Sequence, residues 1–398
     1  MNVYIITKQS IPNGMAATNR IICYAKAIIS QGIPCEILIY TRTEKYGKKA
    51  KNTIPKGNYE GITYQYMANS PLRKSNVFVR RACDYLDKLR LIIHLYKTIK
   101  EGDIVFCFTP ETLFISLIIW LVHLKKAKFV KELCEFPYGT GKETKIRKIK
   151  RYYQINRQFP FYDGIIAISD NLFTLASKYS STSCMIIKIP ILVDFDKYYL
   201  EDFSSKAEIP YIFHSGTLYE QKDGILGMLE AFGKACSQIE IPIKFISTGN
   251  IINSPHKDQI KQIIQQYHLE DKVLFTGYLS KEQLKDYLSK ASLTIINKYP
   301  NQQNTYCFST KLGEYLAAGK PVIITKVGEA MNWLKDGDSA FIIEPNDTDL
   351  LAKTIVEAFN DSEKRERISR NGQNVCRESF DYIQYGNRLK LFFSELTQ

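Results

Sequence analysis

Short apolar runs alternate with helix-length amphipathic runs along this whole chain, and few architectures accommodate that alternation. Val3 to Thr7 reads as a first strand. A loop with Asn13-Gly14 follows, then a helix over about Met15 to Ser30 whose apolar positions are Ile21, Ile22, Ala25, Ile28 and Ile29. Gly32 closes it, and Cys35 to Tyr40 is the next strand. After a basic, irregular stretch come a helix near Val79 to Lys100 and a strand from Asp103 to Phe108. The apolar helix from Leu113 follows, then strands at Lys128 to Leu133, Gly164 to Ser169 and Met185 to Ile189. The second half repeats the layout. Its strands are expected at Tyr211 to His214, Ile243 to Thr248, Val273 to Thr276, Leu293 to Asn297, Val322 to Thr325 and Ala340 to Ile343. Helices are expected between them, including one from about Asp223 to Cys236. Continuous apolar strands separated by helices argue for parallel sheets covered on both faces.

At 398 residues the chain exceeds one typical core, so two domains are expected. The reading is α/β, with two tandem Rossmann-like doubly wound domains facing a cleft. The first spans 1–203, the second 204–379, and a C-terminal helix at 380–398 crosses back to pack on the first. The boundary falls within Ile191 to Pro210, which holds Ser204-Ser205 and no periodicity. Ligands bind such sheets at the carboxyl ends of their strands.

The net charge of +13 lies in the first half alone. Residues 1–200 hold 31 Lys and Arg against 15 Asp and Glu, and residues 201–398 hold 23 against 26. The basic residues cluster at Lys45 to Lys56, Arg73 to Arg90 and Lys142 to Arg157, interleaved with Tyr59, Tyr64, Tyr66, Phe78, Tyr85, Ile146, Ile149 and Phe159. Such a surface attracts anionic headgroups, anionic glycans or nucleic acid, or it only solubilises this half. No nucleic-acid-binding module is recognisable, so no nucleic-acid partner is expected. Nine scattered cysteines without a C-x-x-C pair read as reduced thiols of a cytoplasmic protein. Leu113 to Leu124 is too short to span a bilayer, so membrane contact is expected to be peripheral, at the inner face of the cell membrane.

The segment Phe308 to Val322 carries the most chemistry. Ser309, Thr310 and Lys311 open a helix that holds Glu314 one turn in, and Gly319-Lys320-Pro321 leads to a strand. Unpaired backbone N–H groups, two hydroxyls and a cation at one point suit an anion. Glu314 suits a sugar diol, and diphosphate plus ribose means a nucleotide. An ordinary capped helix is the plain alternative. In His214 to Gly224, Gly216 permits close backbone approach and Lys222 stands at the start of the next helix, as an anion ligand or as a solvated lysine. Asn13-Gly14 can admit a phosphate or the acceptor, or be only a turn. Glu132 and Glu135 end a strand, where at most one faces a ligand; a salt-bridged Glu is the alternative. None of the five histidines makes a metal-spacing pair and no Asp-x-Asp occurs, so no metal is expected.

Together these residues resemble the retaining glycosyltransferases of the GT-B fold, family four, described as glycosyl transferases group 1. The resemblance covers nearly the whole chain. It rests on Gly216 to Gly224 (G-T-L-x-x-x-K-x-G), on Phe275 to Leu279 followed by Lys281-Glu282-Gln283-Leu284, and on Ser309 to Val322. It implies a nucleotide-diphosphate-sugar donor as co-substrate with no other cofactor, and transfer with retention. The acceptor implied is a glycan or lipid-linked glycan in polysaccharide synthesis. By the same resemblance Lys222 binds the donor diphosphate and acts in catalysis. Gly216, Thr217, Ser309, Thr310 and Lys311 line the phosphates, Glu314 holds the ribose, and Gly277, Tyr278 and Leu279 meet the base. There are three departures. Thr217 stands where the family has Arg, with Lys311 as its replacement. Tyr306 stands where the first of two glutamates eight apart is usual. No first-domain His is evident, and Glu135 is the candidate for its place. A same-fold sugar-nucleotide epimerase and a non-catalytic sugar-nucleotide binder are the competing readings.

Overall fold

The computed structural model describes residues 1–139, 143–199 and 207–398. Lys142 and the expected junction at 203/204, with Ser204-Ser205, lie outside the described residues. The chain divides into two units, Met1–Leu192 with Tyr382–Gln398, and Val193–Asp381.

The first unit runs β1 (Val3–Thr7), α1 (Ala16–Ile29), β2 (Cys35–Ile39), β3 (Lys56–Tyr59), β4 (Ile62–Tyr66), α2 (Val77–Thr98), β5 (Ile104–Cys107) and α3 (Leu113–Leu124). It continues with β6 (Lys128–Leu133), α4 (Lys145–Tyr153), β7 (Gly164–Ala167), α5 (Asp170–Tyr179) and β8 (Met185–Lys188). Its eight strands lie in the order β3-β4-β2-β1-β5-β6-β7-β8, parallel throughout except for the antiparallel β3–β4 edge. Central strands are buried along their length, as β5 (IVFC) is at every position. A strand hidden on both faces needs apolar residues at consecutive positions, which is the pattern the sequence carries.

The second unit runs α6 (Phe195–Tyr198), β9 (Tyr211–His214), α7 (Glu220–Asp223), α8 (Ile225–Cys236), β10 (Lys244–Ser247), α9 (Lys257–Gln266), β11 (Val273–Phe275) and α10 (Lys281–Lys290). After these come β12 (Leu293–Ile296), α11 (Gln302–Tyr306), α12 (Thr310–Ala317), β13 (Val322–Thr325), β14 (Phe341–Ile343), α13 (Thr348–Asn360) and α14 (Ser362–Ser379). The six strands are all parallel, in the order β11-β10-β9-β12-β13-β14. The order reverses between β9 and β12, and between β1 and β5 in the first sheet. At such a reversal the adjacent loops turn to opposite faces and leave a crevice at the strands' carboxyl ends.

The last helix, α15 (Gly386–Thr397), belongs to the first unit. Leu389, Phe392, Phe393 and Leu396 enter its core, and the Phe393 ring lies 6.1 Å from that of Phe106. Gly164 is where this helix meets the sheet: a Cβ there would stand 2.7 Å from Phe392 Cζ.

Three expectations are corrected. The basic, irregular stretch after Tyr40 ends in a hairpin, β3–β4, turned by Glu60 and Gly61 at φ 50° and 84°. Tyr64 and Tyr66, expected among the aromatics of a basic surface, are buried, as is Phe159. Tyr66 faces inward because its hydroxyl donates to Ile11 O (2.9 Å) and accepts from Ile11 N (3.1 Å). The helix expected from Asp223 is broken: α7 ends at Gly224, which adopts the left-handed conformation (φ 63°), and α8 begins after it. Lys222 therefore sits in a one-turn helix and not at the start of α8.

Candidate functional site

At the β9–β12 reversal of the second sheet, charged side chains interlock around Asp223. This carboxylate is buried. It accepts from Thr217 N (3.0 Å) and Thr217 Oγ1 (2.8 Å), and pairs with Lys311 Nζ at 2.5 Å. Burial alone would raise its pKa. The Lys311 ammonium, His214 and the Thr217 donors outweigh that and hold the carboxyl well below the usual range. The bond from Lys311, on the first turn of α12, ties that helix to the 215–224 loop. A second tie is Tyr315, whose hydroxyl accepts from Ser215 N (2.7 Å).

His214 ends β9 inside this cluster and is 1% exposed. Its Nδ1 lies 3.2 Å from Ile295 O. A carbonyl only accepts, so Nδ1 carries the proton and Nε2 is left as an acceptor. Nε2 is buried with no partner among the described residues. Burial and the Lys311 charge lower the imidazole to about 4, against the pull of Asp223. Gly216 makes room for this ring, since a Cβ there would stand 2.1 Å from Nε2.

The segment that carries Lys222 is pinned from beneath by three asparagines. Asn297 Nδ2 donates to Gly224 O (2.9 Å), while Asn301 Nδ2 and Asn304 Nδ2 donate to Gln221 O (2.8 and 3.1 Å). Lys222 itself is exposed, with no side-chain bond among the described residues. Lys298, just past β12, is half-buried and donates to Asn304 Oδ1 at 3.3 Å. Burial lowers its pKa, and the nearby Lys311 and Lys222 charges add to that. Helix α12 starts at Ser309 with no side-chain cap, so its first N–H groups are open to a ligand. Glu314 is half-buried one turn in. Gly277 bends the chain at φ 72° after β11, with Tyr278 exposed and Leu279 half-buried beside it.

The structure thus brings Gly216, Thr217 and Lys311 together around one buried carboxylate, with Ser309 and Thr310 next to Lys311 in the chain and Lys222 on the same turn as Asp223. Thr217 and Lys311 point their donors at Asp223. Lys311 is thereby neutralised by a neighbour, which alters its expected part as a replacement cation. Asp223, His214, Lys298 and the three asparagines were not read from the sequence as site residues. Their only sequence signal is that His214 ends β9, Asp223 ends α7, and Lys298 and the asparagines follow β12.

In the first unit, Asn13 and Gly14 lie in the loop after β1. Asn13 N donates to Asn52 Oδ1 (2.9 Å), and Asn52 Nδ2 donates back to Asn13 O (2.8 Å). Gly14 lies against α1, where a Cβ would stand 1.9 Å from Thr18 Oγ1 and 2.6 Å from Ser10 O. Near the end of β6, Glu132 turns inward and pairs with Arg20 at 2.8 Å, with its side chain fully buried. Glu135 turns outward, is exposed, and has no hydrogen bond or ion pair among the described residues. The two carboxylates point to different sides, as their strand-end spacing requires. No group of three or more metal-ligating side chains occurs among the described residues.

Residues 200–375 match the family model described as Glycosyl transferases group 1. A lipopolysaccharide core biosynthesis glycosyltransferase of Rhizobium meliloti is 29% identical over 129 residues, which is 32% of this chain and 35% of that protein. The chain spans about a third of the length of the curated relatives it matches. Among solved structures, a sucrose-phosphate synthase from Thermosynechococcus elongatus aligns with a TM-score of 0.75 at 15% identity, covering 99% of this chain and 98% of that one. Anabaena HepE, in complex with UDP and glucose, aligns with a TM-score of 0.70 at 15% identity, covering 99% of both chains.

Proposed function

For a chain whose residues 200–375 match the glycosyl transferases group 1 model and whose fold is GT-B, we propose transfer of a sugar from a nucleotide-diphosphate-sugar donor to a glycan or lipid-linked glycan hydroxyl, with retention and without a metal. The observation that carries this reading is the second-unit cluster. It fixes an exposed Lys222, a half-buried Lys298 and the uncapped start of α12 at one sheet reversal. Those groups suit a diphosphate, and HepE, of the same fold, was solved with UDP and glucose.

In the proposed reaction the bond from the anomeric carbon to the β-phosphate oxygen breaks, and the electron pair leaves with the nucleoside diphosphate. Lys222, Lys298 and the α12 N–H groups stabilise the charge that develops there. Lys311 acts through Asp223, fixing the loop that carries Gly216 and Thr217. Glu314 takes the ribose hydroxyls, and the turn at Gly277, Tyr278 and Leu279 meets the base. The acceptor hydroxyl attacks from the face the diphosphate leaves and gives its proton to the departing phosphate oxygen. Glu135, with the Asn13–Gly14 loop, is assigned to the acceptor. The setting proposed is cytoplasmic, at the inner face of the cell membrane.

The test is release of nucleotide from candidate sugar nucleotides, with and without glycan acceptor, by wild type and Lys222→Ala. Release that requires acceptor and falls roughly 10²-fold or more in the variant, at unchanged melting temperature, supports the reading. Release of nucleotide from a sugar nucleotide without acceptor points to the epimerase. Unchanged turnover in Lys222→Ala rejects the role of that lysine.

A further inference from the structure

Three neighbouring helices of the first unit hold large apolar side chains out in solvent at helical spacing. On α2, Phe78, Tyr85 and Leu89 are 79%, 75% and 50% exposed. On α3, Leu117 and Trp120 are 44% and 60% exposed, and on α4, Ile146 and Ile149 are 65% and 67% exposed. The spacings of seven and four, three, and three residues put each set on one helix face. The helices are adjacent. Lys88 of α2 lies 4.9 Å from the ring centroid of Phe114 on α3, and Ser116 of α3 lies 3.2 Å from the hydroxyl of Tyr153 on α4. Scattered exposed apolar residues are ordinary, but contiguous rows of them over three helices mark a surface that meets something apolar.

The charges around these rows select the partner. Helix α2 carries five basic residues against two acidic, and α4 carries five basic and none acidic. A second copy of this chain would bring the same charge to the contact and repel it. The partner must be apolar and anionic at once, and a bilayer with anionic headgroups is both. No helix among the described residues is long and apolar enough to cross a membrane, so the helices lie along the surface. We propose that α2, α3 and α4 form a seat on an anionic bilayer. Their apolar rows enter the headgroup layer, and the flanking Lys and Arg contact lipid phosphates. The seat rests on the transferase reading only in giving it a lipid-linked acceptor.

The test uses the full chain. Trp120 and Trp333 are its two tryptophans, and Trp333→Phe leaves Trp120 as the reporter. Vesicles of phosphatidylcholine alone are compared with vesicles containing phosphatidylglycerol. The expected result is flotation with the anionic vesicles only. Trp120 emission should shift to the blue, with quenching by brominated acyl chains. Trp120→Glu and Ile149→Glu should each lower vesicle partition roughly tenfold or more, with thermal shift by nucleotide sugar unchanged. Both positions are exposed, so the melting temperature should hold. No blue shift on anionic vesicles would overturn the proposal, as would full partition by both variants. A doubled mass in solution that Trp120→Glu returns to monomer would instead assign the face to a second copy. Partition that persists in a protein with no nucleotide-sugar response would reject the transferase reading and leave the seat standing.

Discussion

The two parallel sheets end differently at their carboxyl edges. In the second unit, the residues after β9 and β12 are cross-linked by charge: Lys311 to Asp223, Asp223 to Thr217, and Lys298 to Asn304. In the first unit, the loops after β1 and β5 are also joined by charge, with Lys8 and Lys88 both on Glu111, but the Asn13–Gly14 turn is held by packing and amide pairs, Gly14 against Thr18 and Asn13 against Asn52. The first unit buries the ion pairs Arg20–Glu132, at strand β6, and Arg42–Asp87, on α2, and leaves Glu135 in water. Prearranged charge suits a ligand that is always the same anion. A loop with an uncommitted carboxylate suits a partner that differs from one protein to the next.

The largest test of this contrast is Asp223→Ala. It leaves Lys311 without its partner and the Thr217 donors unmatched, and should cost about 3–5 kcal/mol in urea unfolding of the second unit. A loss under about 1 kcal/mol would show that the cluster is not interlocked. The next is pH. The folded-state imidazole of His214 lies near 4, below its ordinary value of 6.5, so the unfolded chain binds more protons between those limits. Stability should therefore fall as pH drops from 6.5 toward 4, by about 3 kcal/mol from this group. Asp223, also depressed, extends the loss below that window. Equal stability at pH 7 and pH 4.5 would mean His214 is charged in the fold.

A smaller effect is expected from Lys298→Met. Nucleotide-sugar affinity measured by calorimetry should drop roughly tenfold, with no loss of melting temperature, because a partly desolvated cation is removed along with its ligand contact. Unchanged affinity would confine Lys298 to holding Asn304. The smallest is Glu135→Gln, which should change stability by less than about 0.5 kcal/mol, since nothing described binds that carboxylate. A larger change would reveal a structural partner and bring the first unit closer to the second.

The sheets were legible in the sequence because each central strand is buried on both faces and shows it as an unbroken apolar run. The hairpin at 56–66 was not, because its strands hold Lys56, Gly57, Asn58 and Gln65, and its inward face carries two tyrosines, of which Tyr66 bonds Ile11 and Thr43. The helix break at Gly224 was missed for a similar reason. A glycine inside an amphipathic run is tolerated in a helix, and what ends this one is the left-handed turn at Gly224 (φ 63°), whose carbonyl accepts from Asn297 Nδ2. Within the site, Gly216, Lys222 and the Ser309–Lys311 helix start were visible as a pattern along the chain. Asp223 was not, because its meaning comes from Lys311, 88 residues away.

The placement of α15 bears on how the chain assembles as it is made. The strands of the first unit emerge first, yet Phe392 and Phe393, which fill the gap beside Phe106 and Gly164, are translated after the whole second unit. The later-made half can therefore finish folding before the earlier-made half, which waits with an open apolar seam. A released chain that ends at Asp381 should resist protease in its second unit while its first unit is still cleavable.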